Sequence, residues 1–138
     1  MYSIEKANYG YTLVLSGILS EMDLEALHTE LLVLLRESPI KYQLLLKANQ
    51  LEPLGIDAKR VYEKVLRVFI STGLNRSCLL YTSPSINLQL RNIAMRIPYN
   101  GERSINIAKT INYKRISQEW LIYGNEFSNI QESNASHL

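Results

Sequence analysis

Cysteine is almost missing from the chain. The single one among 138 residues, Cys78, stands between Ser77 and Leu79, so no disulfide framework and no cysteine metal site is available. In an apolar stretch such a thiol reads as a small core hydrophobe. Histidine is scarce too: His28 and His137 lie far apart without a clustered carboxylate partner, which is not a metal-ligand spacing, and no metal or cofactor is expected. Glycines occur singly, at Gly10, Gly17, Gly55, Gly73, Gly101 and Gly124. Without GxGxxG or GxxxxGK[ST], the usual glycine-rich phosphate cradles are excluded. No apolar run approaches the roughly 20 residues of a transmembrane helix, and the first residues lack the apolar stretch of a signal peptide. The chain therefore reads as cytoplasmic. A formal charge of +2 is too small to call for nucleic acid.

What is present is an ordinary globular composition, 46% hydrophobic and 20% charged, in a length that suits one domain with a real core. Residues 1–127 are expected to form that domain and 128–138 a polar C-terminal tail.

The periodicity predicts five strands and four helices. Tyr2 to Asn8 and Tyr11 to Ser16 flank a turn at Tyr9 and Gly10, a hairpin-like start. Ser20 and Asp23 have capping-box spacing, and Leu24, Leu27, Leu31, Leu34 and Leu35 recur at helical intervals until Ser38 and Pro39. Tyr42 to Leu46 reads as a central strand, apolar on both faces. A second helix from about Ala58 to Thr72 takes Asp57 as N-cap and Gly73 as stop, with Val61, Val65, Val68 and Phe69 as its buried stripe. The strand Ser77 to Thr82 leads into a third helix opened by Ser83, Pro84 and Ser85 and carrying Ile86, Leu90, Ile93 and Ile97. Arg103 to Lys109 is the last strand, and Asn112 caps a short closing helix with Ile116, Trp120 and Leu121 on one side. Helices between later strands demand parallel pairing with right-handed crossovers, while the first two strands pair antiparallel. The expected architecture is α/β, a mixed five-stranded sheet with an antiparallel first strand and four helices.

Chemistry-bearing residues have plain structural readings. Asp23, Glu25 and Glu30 suit a solvated helix face, and Glu63 with Lys59, Lys64 and Arg67 suits exposed pairing along a helix. Ser20, Ser83 and Ser85 stand at helix starts, where capping explains them. Arg91, Arg96, Arg103 and Lys109 with Tyr99 suit a solvated face beside a turn, or else a positive surface for an anionic partner. No nucleophile, acid/base pair or metal cluster can be assembled, so no catalytic residue is assigned and an enzyme is not expected.

The segment Lys41 to Ala58, KYQLLLKANQLEPLGIDA, draws attention because ligands of open α/β sheets gather at the carboxyl ends of the strands. It reads as a strand, a polar loop and a new helix. It offers Lys47, Asn49, Gln50, Glu52 and Asp57, but no Ser, Thr, Cys or His.

The element order, together with YTLVLSGILSEMDLEALHTELLVLL, QLLLKANQLEP and SINIAKTINYKRISQEWL, resembles the STAS superfamily and, within it, the SpoIIAA-like branch, over about Tyr2 to Tyr123. The resemblance implies a regulatory, non-enzymatic protein-interaction module. In the anti-sigma antagonist members a phosphorylatable hydroxyl at the start of the second helix switches partner binding. Here Leu54, Gly55, Ile56, Asp57 and Ala58 occupy that stretch, with Ile56 or Asp57 where the hydroxyl would be, so a phosphoswitch is not expected and Asp57 would supply a fixed charge. Partner-binding candidates are Asn49, Gln50, Glu52, Ile56 and Asp57, for a protein partner or a second copy in a homodimer. The branch also resembles lipid-binding Sec14-type domains. The alternative reading is therefore a binding protein for a small apolar or lipid-like ligand, in a cleft lined by Val65, Phe69, Ile86, Leu90 and Ile93.

Overall fold

The computed structural model describes residues 1–126; the expected tail lies outside them. Strands β1 (Tyr2–Ala7) and β2 (Gly10–Gly17) form the hairpin, followed by α1 (Glu21–Leu34) with a 3₁₀ turn (Leu35–Glu37), β3 (Tyr42–Leu51), α2 (Ile56–Ser71), β4 (Leu74–Tyr81), α3 (Pro84–Ala94), β5 (Glu102–Asn106) and α4 (Tyr113–Gln118), which runs on as a π-helical turn (Glu119–Tyr123). The five strands lie in sequence order in one sheet. β1 is antiparallel to β2, and every later pair is parallel, as expected.

That order decides which face each helix covers. Moving one strand at a time in the same direction, right-handed crossovers place α1, α2 and α3 on a single side of the sheet. Their apolar stripes, including Leu24, Leu27, Val65, Phe69 and Leu90, close over Leu13, Leu15, Leu44, Leu46 and Leu79 in the larger of two apolar clusters. The opposite face carries a smaller cluster, in which α4 and the π turn lay Ile116, Trp120 and Leu121 over Cys78, Leu80 and Ile105. Trp120 is fixed at both ends: its indole N–H donates to the Ser77 carbonyl at 2.9 Å, and the Arg103 guanidinium lies 4.3 Å from its ring centre. Arg76 Nη2 donates to the Leu121 carbonyl at 3.0 Å, occupying an acceptor that the end of the helix leaves free.

The Ser20 capping box forms as read, Asp23 N donating to Ser20 Oγ at 3.1 Å and Ser20 N to Asp23 Oδ2 at 2.9 Å. These bonds from Ser20 hold the Asp23 carboxyl below its ordinary pKa. Gly10 is required where it stands. Its φ of 148° lies outside the range of L side chains, and a Cβ there would run into the Gln43 carbonyl of β3.

Several boundaries differ from the sequence reading. β4 starts at Leu74 instead of Ser77, because Leu74 already pairs with Tyr42 of β3. β3 does not stop at Leu46 but runs to Leu51, because β2 pairs with it as far as Gly17 opposite Leu51 and the ladder satisfies the polar stretch as well as the apolar one. α2 starts earlier, with Gly55 as N-cap and no capping side chain, so Asp57 is its second residue instead of its cap. There its charge still complements the helix end. β5 ends at Asn106, where Asn106 Oδ1 accepts from Ala108 N at 3.0 Å and turns the chain.

Candidate functional site

The carboxyl end of the sheet gathers the turns after β2, β3 and β4. They are bolted together. Glu52 N donates to the Gly17 carbonyl at 3.0 Å, and Thr82 Oγ1 to the Asn49 carbonyl at 2.9 Å. The side-chain amide of Gln89 on α3 grips both backbone groups of Leu54: Leu54 N donates to Gln89 Oε1 at 2.7 Å and Gln89 Nε2 to the Leu54 carbonyl at 3.1 Å. Leu54 itself is buried, so the β3–α2 turn has an apolar anchor as well as a polar clamp.

On this fixed edge four large apolar side chains face solvent: Ile18 at 81% exposure, Met22 at 82%, Ile56 at 76% and Leu88 at 61%. They come from the β2–α1 turn, the first turn of α1, the first turn of α2 and α3. Single exposed apolar residues are ordinary; these four belong to elements that begin at the same end of the sheet. Glu21, Glu52 and Asp57 are exposed beside them. Asp57 meets Arg60 at 3.7 Å, with both side chains largely in solvent, a pairing of little energetic weight.

The expected partner-binding residues divide between two places. Glu52, Ile56 and Asp57 belong to the edge just described. Asn49 and Gln50 are not loop residues; they lie in β3, where a bulge between Val14 and Ser16 of the β2 register sets an extra residue into β3. Gln50 is exposed, while Asn49 looks away from α1, α2 and α3 into a groove on the other face of the sheet. That groove, about 350 Å³, lies between α4 and the middle strands and is floored by Leu45, Leu80 and Ile107. Tyr9 also lines it, its hydroxyl 2.7 Å from Thr12 Oγ1.

The expected ligand cleft is filled. Val65, Phe69, Ile86, Leu90 and Ile93 pack in the main core, none more than 5% exposed. The helical crossovers press α2 and α3 directly onto the sheet. On their outer side a depression of about 350 Å³ lies between Ile56, Lys59, Arg60, Glu63, Ile93 and Arg96, so of the five only Ile93 borders open space there.

The expected basic surface is divided as well. Arg96, in the turn after α3, reaches Glu63 of α2 at 3.4 Å, whereas Arg103 belongs to the other face, stacked on Trp120 and bonded to Glu126 at 3.0 Å. Tyr99 is not a surface tyrosine beside them; its hydroxyl donates to Ser77 Oγ at 2.9 Å, and burial pushes its pKa up. Cys78 is fully buried, and desolvation raises its thiol pKa. Among the described residues no three His, Cys, Asp or Glu side chains gather as a metal site, and no helix is long and apolar enough to cross a membrane.

This arrangement has a counterpart among solved structures. The structure of a protein of the DUF3478 family from Shewanella loihica PV-4, described as having a SpoIIAA-like fold, superposes with a TM-score of 0.60, covering 88% of this chain and 92% of that one at 16% identity. The chain has a SpoIIAA-like fold. No family model and no curated protein sequence matches it. At 16% identity the likeness speaks for the SpoIIAA-like fold alone. Sequence reading missed the apolar edge residues Ile18, Met22 and Leu88. Their signal was present, since each interrupts a polar turn or helix face, but only the sheet order brings the turns together.

Proposed function

We propose that the chain is a non-enzymatic regulatory module that docks a partner protein on the carboxyl edge of its SpoIIAA-like sheet. The observation that carries this reading is the exposure of Ile18, Met22, Ile56 and Leu88 on turns held by the Leu54–Gln89 clamp and the Gly17 and Asn49 carbonyls. A surface fixed before contact loses little conformational entropy on binding. The bordering Glu21, Glu52 and Asp57 fit a partner with an apolar centre and a basic rim. Leu54 to Ala58 contains no hydroxyl side chain, and recognition there would run through contact and the fixed charge of Asp57.

The test is affinity capture with chemical cross-linking from cells of the source organism, comparing the wild type with the double variant Ile18→Asp, Ile56→Asp. Both sites are exposed, so the fold is expected to survive, with circular dichroism as the check. A partner captured by the wild type and lost from the variant is the expected result. Retention of every partner by the variant would remove the basis of the reading.

A further inference from the structure

The crossovers that place α1, α2 and α3 on one side of the sheet leave the other side to α4 and the π turn, which cover the β4 and β5 half. Between that cover and the hairpin lies the groove of about 350 Å³, within the lower part of the range for small-molecule sites. Its walls and rim differ in character. Leu45, Leu80 and Ile107 make an apolar floor, and the rings of Tyr9 and Tyr113 stand at its sides. Tyr9 is held in place through Thr12.

Lys47 from β3 and Lys114 from α4 also line the groove. Both are exposed, and among the described residues neither is paired with a carboxylate, although Lys64 and four arginines are. By register Glu5 of β1 stands opposite Thr12 on the same face. It leaves the positive potential at the Lys47 and Lys114 side and opposes an anion at the far side.

We propose that this groove binds a small organic anion with a flat apolar body, an aryl carboxylate whose ring lies on Leu45, Leu80 and Ile107 between the two tyrosines. Its carboxylate takes charge-assisted hydrogen bonds from Lys47 and Lys114. Asn49 adds a neutral polar contact on the same floor. The site is separate from the docking edge, lies on the opposite face from α2, and stands without the docking proposal.

The experiment is two-dimensional NMR titration of the full chain with 2-naphthoate, and with 2-naphthol, which is neutral at pH 7. Saturable shifts at Leu45, Lys47, Ile107, Tyr113 and Lys114 are expected, with naphthoate binding more tightly than naphthol. The double variant Lys47→Ala, Lys114→Ala is expected to weaken naphthoate about tenfold and leave naphthol unchanged. Four results would each overturn the proposal: no saturable shift, shifts that map elsewhere, equal binding of the two probes, or wild-type naphthoate binding by the double variant. Groove resonances that move with protein concentration alone would assign the groove to a second copy, and contacts to it from residues 127–138 would assign it to the chain itself; either outcome also overturns it.

Discussion

Glu102 opens β5 on the side of the sheet that faces α2 and α3, where it shares the wall of a void of about 10 Å³ with Leu44, Leu66, Ile70 and Tyr99. A void of that size holds one water at most. Burial disfavours the charged carboxylate and pushes its pKa from 4.5 to about 7, with Arg91 pulling weakly the other way. The sign of the linkage follows. Between pH 4.5 and 7 the folded chain keeps a proton here that the unfolded chain releases, so stability falls as pH rises across that window and is level on either side. The gap of 2.5 pH units between those values, at about 1.36 kcal/mol per unit, gives a ceiling of about 3 kcal/mol. Glu102 retains some solvent contact, which screens the charge and lowers the expected loss to about 2 kcal/mol. Urea unfolding measured from pH 4.5 to 8 tests this in the wild type and in Glu102→Gln, which keeps the shape and cannot ionise. The variant is expected to lack the decline and to exceed the wild type by about 2 kcal/mol at pH 8. Asp23 and Glu126, whose carboxyl pKa values are lowered by hydrogen bonds from Ser20 and Arg103, respond only at lower pH and equally in both proteins. An identical pH slope in the two proteins would refute the reasoning.

Two further substitutions test the framework on which both proposed sites rest. Gln89→Ala removes the clamp on Leu54 and leaves its buried backbone groups without partners; a loss of about 1–3 kcal/mol in urea unfolding is expected, and faster amide exchange at Leu54 is the local readout, while unchanged exchange would show that the clamp does not hold the turn. Gly10→Ala places a Cβ against the Gln43 carbonyl at a φ of 148°, so a loss of at least about 2 kcal/mol is expected by thermal or urea denaturation; a loss below about 0.5 kcal/mol would show that the hairpin yields easily.

The sheet was legible because its two signals are local. Alternating Leu13 and Leu15, the run Leu44 to Leu46, and the helical spacing of Leu24, Leu27 and Leu31 each report a period that burial enforces. Where a polar stretch sits in a ladder, the signal fails: Lys47, Asn49 and Gln50 look like a loop by composition, yet their backbone is paired with β2. Expected boundaries therefore tracked side chains, whereas the real ones followed backbone hydrogen bonds. The same contrast explains the apolar cleft that was expected beneath α2 and α3. Val65, Phe69, Ile86, Leu90 and Ile93 have the composition of either a ligand pocket or a core, and only packing distinguishes them.

The groove was hidden for a different reason. Crossover handedness constrains a helix that joins two parallel strands, and so it places α1, α2 and α3 from the strand order alone. α4 follows the last strand and joins nothing, so no such rule says which face it covers. Its position is set by Trp120, whose indole needs the Ser77 carbonyl, and by Arg76 and Arg103, which hold the end of the π turn and the ring. These contacts link residues 43 or more apart for Ser77 with Trp120 and for Arg76 with Leu121, beyond the reach of any periodic pattern. Once α4 lies there, Tyr113 and Lys114 face Leu45, Lys47 and Tyr9 across the uncovered centre of the sheet. Three elements that carry no shared motif thus make one concave site, and the anchoring of a single short helix determines whether that site exists.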